Sequence, residues 1–335
     1  MRYIIIGAGA VGGTIGACLH SSGHDVVLVA RGDHLRALRD PGLTFATPEG
    51  TEVLPVPAAG GPDEVRLRAD DVLVLSVKSQ DTAGVLEEWA WQPVEGGTVA
   101  GESLPVICAQ NGVANESVAL RRFRRVYGMC VWLPATHLEP GRVEAQGVPM
   151  AGLLPVGRYP QGKDDFTERI SAALSAARFL APVSPDVMRW KYGKLLANLD
   201  NATEALCGRR ARTDADAAEL RERARVEALD VFGAAGIPFA SADEIKAARG
   251  DQVRIGAVEG AGRGGGSSWQ SLVRGTGRIE ADYLNGEIAL LGRTYSVPTP
   301  VNATLQRLAN QAARQGRAPE TMTPGEILTA SRSGE

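Results

Sequence analysis

The second half of the chain contains no histidine, so a lysine is its best candidate for moving a proton. The four histidines, His20, His24, His34 and His137, all lie in the first half. Lys194 lies in a predicted helix of the second half. A lysine ammonium can stabilise a developing alkoxide and then donate a proton, and partial burial lowers its pKa toward the working range. We therefore take Lys194 as the candidate general acid.

The surroundings of Lys194 support this choice without deciding it. Trp190, Lys194 and Asn198 follow one another at intervals of four residues, which stacks them on one face of a helix. Taken alone, a helix lysine is more often a solvated surface charge, and so is a helix carboxylate such as Glu280. Both readings of these residues stay open at this point.

The chain opens with a strand, a glycine turn and a helix. Residues 3–6 are apolar, and Gly7, Gly9 and Gly12 then form a G-x-G-x-x-G pattern. The first glycine permits a tight turn, the second lets the backbone approach a pyrophosphate, and the third lets the helix lie close to the strand. The N-terminus of the helix offers unpaired N–H groups to the anion. This stretch predicts a dinucleotide-binding loop.

Arg31 indicates which dinucleotide binds. Residues 25–30 form a second predicted strand and complete a βαβ unit. An acidic residue at the end of that strand would bind the ribose 2′-hydroxyl, whereas an arginine accommodates a 2′-phosphate. Arg31 holds this position, and Asp33 lies too far along, so we predict NADP(H). The alternative is that Arg31 is a solvated residue at the edge of a loop.

Two polar residues follow further predicted strands. The apolar run 70–78 is typical of a strand buried on both faces of a parallel sheet and ends at Lys78. Residues 105–113 repeat the arrangement, because an apolar strand leads to Asn111 and Gly112 allows the turn that follows. Ligands of such sheets bind outside the carboxyl ends of the strands. We therefore expect Lys78 and Asn111 to lie at the cofactor site.

The patterns divide the chain into two domains. We predict an α/β Rossmann domain with a doubly wound, mostly parallel sheet over 1–182, and an all-α domain over 183–330. We expect residues 331–335 to form a disordered tail.

Helix signals are clear in the second domain. Ser184 would cap the helix that carries Lys194. A long helix over 214–235 ends at Gly236, and a capping box over 241–244 begins another.

Composition argues against several classes of protein. The hydrophobic content is 44% and the net charge is −3, which does not suit a nucleic-acid surface. The basic cluster at 121–125 is interpreted as the exposed end of a helix. We find no signal segment and no apolar run of about 18 residues that would span a membrane. The cysteines form no C-x-x-C pair and are interpreted as buried free thiols, with no metal site, which favours a reducing, cytoplasmic compartment.

Several motifs, taken together and in this order, resemble the ketopantoate reductase (2-dehydropantoate 2-reductase) family. The resemblance covers most of the chain. Its motifs are the glycine turn, Val26-Val27-Leu28-Val29-Ala30-Arg31-Gly32, Leu75-Ser76-Val77-Lys78, Gln110-Asn111-Gly112-Val113, Trp190-x-x-x-Lys194-Leu-x-x-Asn198, Ser267-Ser268, Glu280-x-Asp282-Tyr283-x-Asn285-Gly286 and Val297-Pro298-Thr299-Pro300-Val301-Asn302. The resemblance implies a Rossmann domain, a helical domain, NADPH, and reduction of a 2-keto acid to a 2-hydroxy acid.

The resemblance also implies roles for particular residues. Lys194 would be the catalytic acid, and Glu280 would hold the substrate hydroxyl and the lysine in register. Asn111 would position nicotinamide and substrate, while Asn198 and Ser268 would contact substrate. Arg31 and Lys78 would meet the phosphate and ribose side of the cofactor.

The chain departs from the family at two positions that help to grip pantoate. Ala202 and Gly265 stand where the family usually has asparagines. Asn201 sits one residue earlier, about 100° round the helix, and its ability to substitute stays open. Ser268 is followed by Trp269-Gln270 rather than the usual Met-Leu-Gln-Asp.

These departures leave three functions open. The first is reduction of 2-dehydropantoate, and the second is a paralogous NADPH-dependent reductase of another 2-keto or imino acid. The third is a non-catalytic NADPH-binding sensor, against which the joint presence of Lys194, Asn198, Ser268 and Glu280 argues. Apolar helices in the second domain would support a homodimer.

Overall fold

A computed structural model of the chain describes residues 1–208, 213–260 and 265–332. Contacts divide the chain into two compact units. The first comprises Met1–Lys191 with Ala240–Gly262, and the second comprises Tyr192–Phe239 with Arg263–Glu335.

Strands are confined to the first unit in the part of the chain that is described. In chain order they are β1 (Arg2–Ile6), β2 (Asp25–Val29), β3 (Leu43–Thr47), β4 (Gly50–Leu54), β5 (Ala58–Ala59), β6 (Asp71–Leu75), β7 (Pro93–Val94), β8 (Thr98–Val99), β9 (Pro105–Cys108), β10 (Arg125–Met129), β11 (Ala135–Thr136), β12 (Arg142–Ala145), β13 (Gly147–Pro149), β14 (Gly152–Leu153), β15 (Val156–Arg158), β16 (Phe179–Leu180) and β17 (Val253–Ile255).

Helices occur in both units. They are α1 (Ala10–Ser21), α2 (Gly32–Arg39), α3 (Thr82–Ala90), α4 (Ala100–Ser103), α5 (Asn115–Leu120), α6 (Asp165–Ala176), α7 (Val187–Asn198), α8 (Asp200–Cys207), α9 (Ala215–Ala235), α10 (Ala242–Arg249), α11 (Ser267–Val273), α12 (Asn285–Tyr295), α13 (Pro300–Arg314) and α14 (Pro324–Arg332). Short 3₁₀ turns cover Pro62–Glu64, Ser79–Asp81 and Glu280–Tyr283.

The main sheet of the first unit has the order β15-β10-β9-β6-β1-β2-β5. Its strands pair in parallel except for β10 with β15. The chain runs from β1 to β2 on one side and later returns to β6 on the other side, so the switch point lies between β1 and β6. The predicted Rossmann fold with a mostly parallel sheet is confirmed.

Alternating side chains of the central strands supply two cores, one on each face of this sheet. Ile4, Ile6 and Leu73 belong to one buried cluster, while Ile5 and Val72 belong to the other. Because successive side chains of a strand point to opposite faces, an apolar run buries both. The buried apolar runs of β1 and β6 end at Ile6 and Leu75. The turns that carry Gly7 and Lys78 therefore follow directly at the edge of the sheet.

All the regular secondary structure in the described residues of the second unit is helical. Asp214 caps α9 by accepting from the N–H of Ala217 at 3.0 Å, and Gly236 ends it in a left-handed conformation at φ +64°. The predicted capping box of α10, which belongs to the first unit, is also present between Ser241 and Glu244. The core of the second unit includes Leu220 and Leu305.

The contact-based division differs from the predicted domain ranges, 1–182 and 183–330, in two places. It falls within α7, and it returns Ala240–Gly262 to the first unit. The physical reason for the return is that β17 pairs antiparallel with β13. Strand β17 is short, and its partner is distant in sequence.

Two local expectations need correction. Asp186, not Ser184, caps α7, because Asp186 Oδ1 accepts from the N–H of Arg189 in the first turn at 3.3 Å, whereas Ser184 Oγ accepts from the N–H of Asp186, before the helix begins, at 3.3 Å. Residues 331 and 332 of the predicted tail belong to α14 instead, and Ser331 is buried there. Residues 333–335 lie outside the described residues.

Two general features complete the description. All four cysteines are free and buried, as predicted. Among residues 1–208, 213–260 and 265–332, no helix has both the length and the apolar character needed to cross a membrane.

Candidate active site

The glycine turn lies between β1 and α1, at the switch point of the sheet. Gly7 has a φ of +102°, which favours glycine, and the N–H groups of Gly7 and Ala8 both bond to Val29 O at 3.0 Å. Helix α1 begins at Ala10 with no side chain capping it. The N–H groups of its first turn are therefore available to an anion.

The two later glycines of the motif are needed for different reasons. A Cβ on Gly12 would lie 2.2 Å from Gly7 O and 2.3 Å from Ser76 Oγ, so only glycine lets α1 approach the sheet this closely. A Cβ on Gly9 would meet nothing nearer than His137 Cδ2 at 3.9 Å. Space above Gly9 is thus left for a ligand, which fits the approach of a pyrophosphate.

Two histidines that the sequence did not single out lie beside this turn. The rings of His34 and His137 are 4.3 Å apart. His34 Nε2 donates to Ala8 O at 2.8 Å, since its Nδ1 accepts from the Gly141 N–H at 2.9 Å. His34 thereby holds the carbonyl group of the residue between Gly7 and Gly9. Its place three residues after Arg31 was the available signal in the sequence.

Arg31 lies at the end of β2 and directly precedes α2. Its side chain is 70% exposed and its Nη2 bonds to the carboxylate of Glu88 on α3 at 2.9 Å. The guanidinium is thus held at the carboxyl edge of the sheet, and an exposed pair of this kind is weak enough to exchange its partner.

The turns that carry Lys78 and Asn111 are joined by a network of buried polar side chains. Asn115 Nδ2 donates to Asn111 O at 3.1 Å and to Ser79 Oγ at 3.2 Å. Thr82 Oγ1 donates to Asn115 Oδ1 at 2.8 Å. Lys78 and Asn111 are therefore brought to one edge of the sheet, as predicted from the two strand ends.

Helix α7 is anchored at its start by a buried ion pair. Lys191 Nζ donates to the carboxylate of Glu116 on α5, and the two side chains are 2% and 0% exposed. Cys130 Sγ also donates to Trp190 O at 3.3 Å. Further along the same helix, Lys194 is half-buried and Asn198 is buried.

The end of α7 is held by Asn285 and Asn302, which belong to the last two motifs of the resemblance. Asn285 Nδ2 donates to Leu199 O at 3.1 Å and to Asn302 Oδ1 at 3.0 Å. Asn302 Nδ2 in turn donates to Glu227 at 2.7 Å. Asn285 and Asn302 are fully buried, and their hydrogen bonds hold the segment that follows Asn198.

Glu280 is a buried carboxylate beside the start of α11. Its side chain is 4% exposed, and Ser267 Oγ donates to Glu280 Oε2 at 3.3 Å. Ser268 is 2% exposed. The sequence directed attention to Ser268, whereas Ser267 makes this hydrogen bond to the carboxylate.

The altered positions also have defined surroundings. Ala202 is buried in the core of the second unit. A Cβ on Gly265 would lie 2.5 Å from the ring of Trp269, so no larger residue fits there without moving the ring. Asn201 Oδ1 would lie 3.5 Å from a Cβ on Gly266, directly before Ser267.

Each unit thus gathers part of the predicted set. The first unit carries the glycine turn with Arg31, Lys78 and Asn111, and the second carries Lys194, Asn198, Ser268 and Glu280. The first part suits a dinucleotide. The second offers an ammonium group, amide and hydroxyl groups and a buried carboxylate, which suit a small polar substrate.

The chain has a Rossmann sheet with a glycine turn at its switch point, joined to a helical unit with these groups. This arrangement is typical of NAD(P)-dependent oxidoreductases. The sequence model described as "Ketopantoate reductase PanE/ApbA" matches residues 3–160, and its companion "Ketopantoate reductase PanE/ApbA C terminal" matches residues 186–313. The chain belongs to the ketopantoate reductase family, and the resemblance seen in its motifs is confirmed.

Relatives and solved structures agree with this membership. The chain is 28% identical to the 2-dehydropantoate 2-reductase of Archaeoglobus fulgidus, over 92% of this chain and 96% of that protein. The matches to the Pyrococcus horikoshii and Pyrococcus abyssi proteins of the same name span 61% of their length. A Ralstonia eutropha ketopantoate reductase structure is 27% identical with a TM-score of 0.77, covering 94% of this chain and 99% of that one.

Proposed function

We propose that this protein reduces a 2-keto acid to the 2-hydroxy acid with NADPH, and that 2-dehydropantoate is the substrate. The observation that carries the proposal is the buried Glu280 carboxylate, bonded by Ser267 Oγ, in a chain that also has a dinucleotide-binding turn. The names of the relatives support the choice of substrate.

NADP(H) is proposed because Arg31 ends β2, where a 2′-phosphate would lie. Replacing the Glu88 partner by a phosphate would give the planar guanidinium fork a doubly charged acceptor. We expect Arg31→Ala to lower the NADPH to NADH ratio of kcat/KM by about 10- to 100-fold, as for loss of a charged hydrogen bond. An unchanged ratio would refute the role of Arg31, and Arg36→Ala on the exposed side of α2 serves as the matched control.

The proposed mechanism assigns one task to each residue. NADPH, when bound, supplies the hydride. The Lys194 ammonium binds the ketone oxygen, stabilises the charge that develops on it and donates a proton to it. Asn198 and Ser268 orient the substrate by hydrogen bonds, and Glu280 holds the lysine and the new hydroxyl in register.

Lys194→Ala tests this mechanism. We expect kcat to fall by about 10²- to 10⁴-fold, the usual contribution of a general acid, while the Kd for NADPH stays close to that of the wild type. Lys163→Ala is the control, because Lys163 is exposed and paired with Glu168 at 3.3 Å. Full turnover in Lys194→Ala would remove the lysine from the reaction.

A second candidate, a reductase of a different 2-keto or imino acid, is favoured by one observation. The ring of Trp269 fills the space that a side chain at position 265 would need, so an amide cannot grip the substrate there. A substrate panel monitored by NADPH absorbance, with growth complementation of a pantothenate-requiring strain, separates the two candidates. NADPH binding without oxidation by any member of the panel would instead favour the sensor.

A further inference from the structure

Arg274 carries a guanidinium group that forms no hydrogen bond or salt bridge with another residue in the part of the chain that is described. It follows the last residue of α11, its side chain is half-buried, and its Nε is buried without a hydrogen-bond partner. An arginine offers five N–H donors in a planar fork. Buried donors left without acceptors cost free energy, so such a group needs an explanation.

The position of Arg274 on α11 relates it to Glu280. Arg274 comes seven residues after Ser267 and keeps helical backbone angles (φ −72°, ψ −11°), so the two lie on one face, two turns apart. Ser271 lies between them and donates to Ser267 O at 3.0 Å. Since Ser267 also donates to Glu280, this face of α11 is the one that meets the buried carboxylate.

Electrostatics agree with this arrangement. Burial lowers the pKa of Arg274, and the negative charge of Glu280 partly offsets that effect. The Glu280 carboxylate therefore acts on the guanidinium through space but forms no hydrogen bond with it. A second anion, hydrogen-bonded to the fork, would complete the surroundings of Arg274.

We propose that Arg274 binds the carboxylate of the 2-keto acid. The inference rests on the proposed function and deepens it by naming a specificity residue. Every 2-keto acid carries a planar carboxylate next to the reacting ketone, and the guanidinium fork matches that shape with two parallel hydrogen bonds. Arg274 thus supplies donors in a chain where Ala202 and Gly265 supply none.

The test compares each enzyme on a 2-keto acid and on its primary amide. The acid used is the one that the wild type reduces fastest with NADPH. We expect Arg274→Gln to raise KM for the acid by about 10- to 100-fold, as for loss of a charged hydrogen bond, with KM for the amide and Kd for NADPH little changed. Arg274→Lys keeps the charge without the fork and should recover part of the loss.

The matched control is Arg314→Gln, because Arg314 is an exposed arginine near the end of α13 of the same unit. Its KM values for acid and amide should equal those of the wild type. A merely structural role of Arg274 would impair acid and amide alike, and that result, or an unchanged KM for the acid, overturns the inference. If Arg274→Gln fails to fold, Arg274→Lys gives the same comparison.

The two proposals fail in different ways. A wild-type protein that oxidises NADPH with no 2-keto acid refutes the proposed function before any variant is made. A wild-type protein that turns over while Arg274→Gln keeps its preference for acid over amide refutes only the role of Arg274.

Discussion

Gly9→Ala separates cofactor binding from folding at the glycine turn. Gly9 has φ −72° and ψ −156°, at the edge of the extended region, and its negative φ does not itself require glycine. The added Cβ would meet no protein atom nearer than 3.9 Å, so it occupies only the space predicted for the pyrophosphate. The change therefore acts on the ligand while the fold is kept.

The size of the effect follows from the contacts that the methyl group would block. Pushing the pyrophosphate away from the first turn of α1 would lose one charged hydrogen bond, about 1.5 to 3 kcal/mol, or about 10- to 100-fold in Kd. Stability should change by no more than about 1 kcal/mol, because the gain from restricting the unfolded chain is offset by a ψ angle at the edge of the extended region.

The assay measures Kd for NADPH by fluorescence titration and the midpoint of urea unfolding for three variants. Gly12→Ala should lose both affinity and stability, since its Cβ would lie 2.2 Å from a backbone oxygen. Gly84→Ala is the matched control, because a Cβ at Gly84 in α3 meets nothing within 4 Å, and it should leave Kd unchanged. A Gly9→Ala variant that binds NADPH as tightly as the wild type would refute the placement of the pyrophosphate above Gly9.

Two further predictions concern stability. Lys191→Met leaves the Glu116 carboxylate buried and unpaired, so the free energy of unfolding measured in urea should fall by about 3 to 5 kcal/mol. The Lys191→Met, Glu116→Leu double variant should recover most of this loss. A double variant no more stable than the single one would contradict this interpretation. Burial raises the pKa of Glu227 above its ordinary value of 4.5, so the folded state binds its proton more tightly than the unfolded chain does. Its contribution to stability is therefore greatest below the unfolded pKa and falls as pH rises through the folded pKa. The free energy of unfolding of the wild type, relative to that of Glu227→Gln, should therefore fall as pH rises through that window. A relative stability that rises over the same window would show the opposite sign.

The parts of the fold that the sequence predicts well are those set by local chemistry. The glycine turn, the apolar strands β1 and β6, the stop at Gly236 and the capping box at Ser241 each depend on residues close together in the chain. Both the strand period and the helix caps are readable over a few residues.

Features that depend on distant partners could not be predicted. The pairing of β17 with β13 returns a segment of the second half to the first unit. The three-residue sequence of β17 contains no pattern that identifies β13 as its partner. The 3₁₀ turn at Glu280–Tyr283 is separated from α12 by a break at Leu284, whose φ is −116° and ψ −94°. The amide of Asn285 next to this break reaches Leu199 O, a contact that no local pattern encodes.

The candidate site shows the same limit. Arg31, Lys78 and Asn111 were readable because strand ends of a parallel sheet share one edge. The pairing of Arg31 with Glu88, the hydrogen bond from Ser267 rather than Ser268 to Glu280, and the unpaired Arg274 all require tertiary structure. The roles of the site residues in catalysis stay predictions for kinetic experiments.

Reduction of a 2-keto acid with Lys194 as the proton donor is tested by steady-state NADPH oxidation with 2-dehydropantoate. The measurement is made on the wild type and on Lys194→Ala, each shown first to bind NADPH. We expect turnover by the wild type and a kcat about 10²- to 10⁴-fold lower in the variant. Equal turnover by both proteins, or none by the wild type, would contradict it.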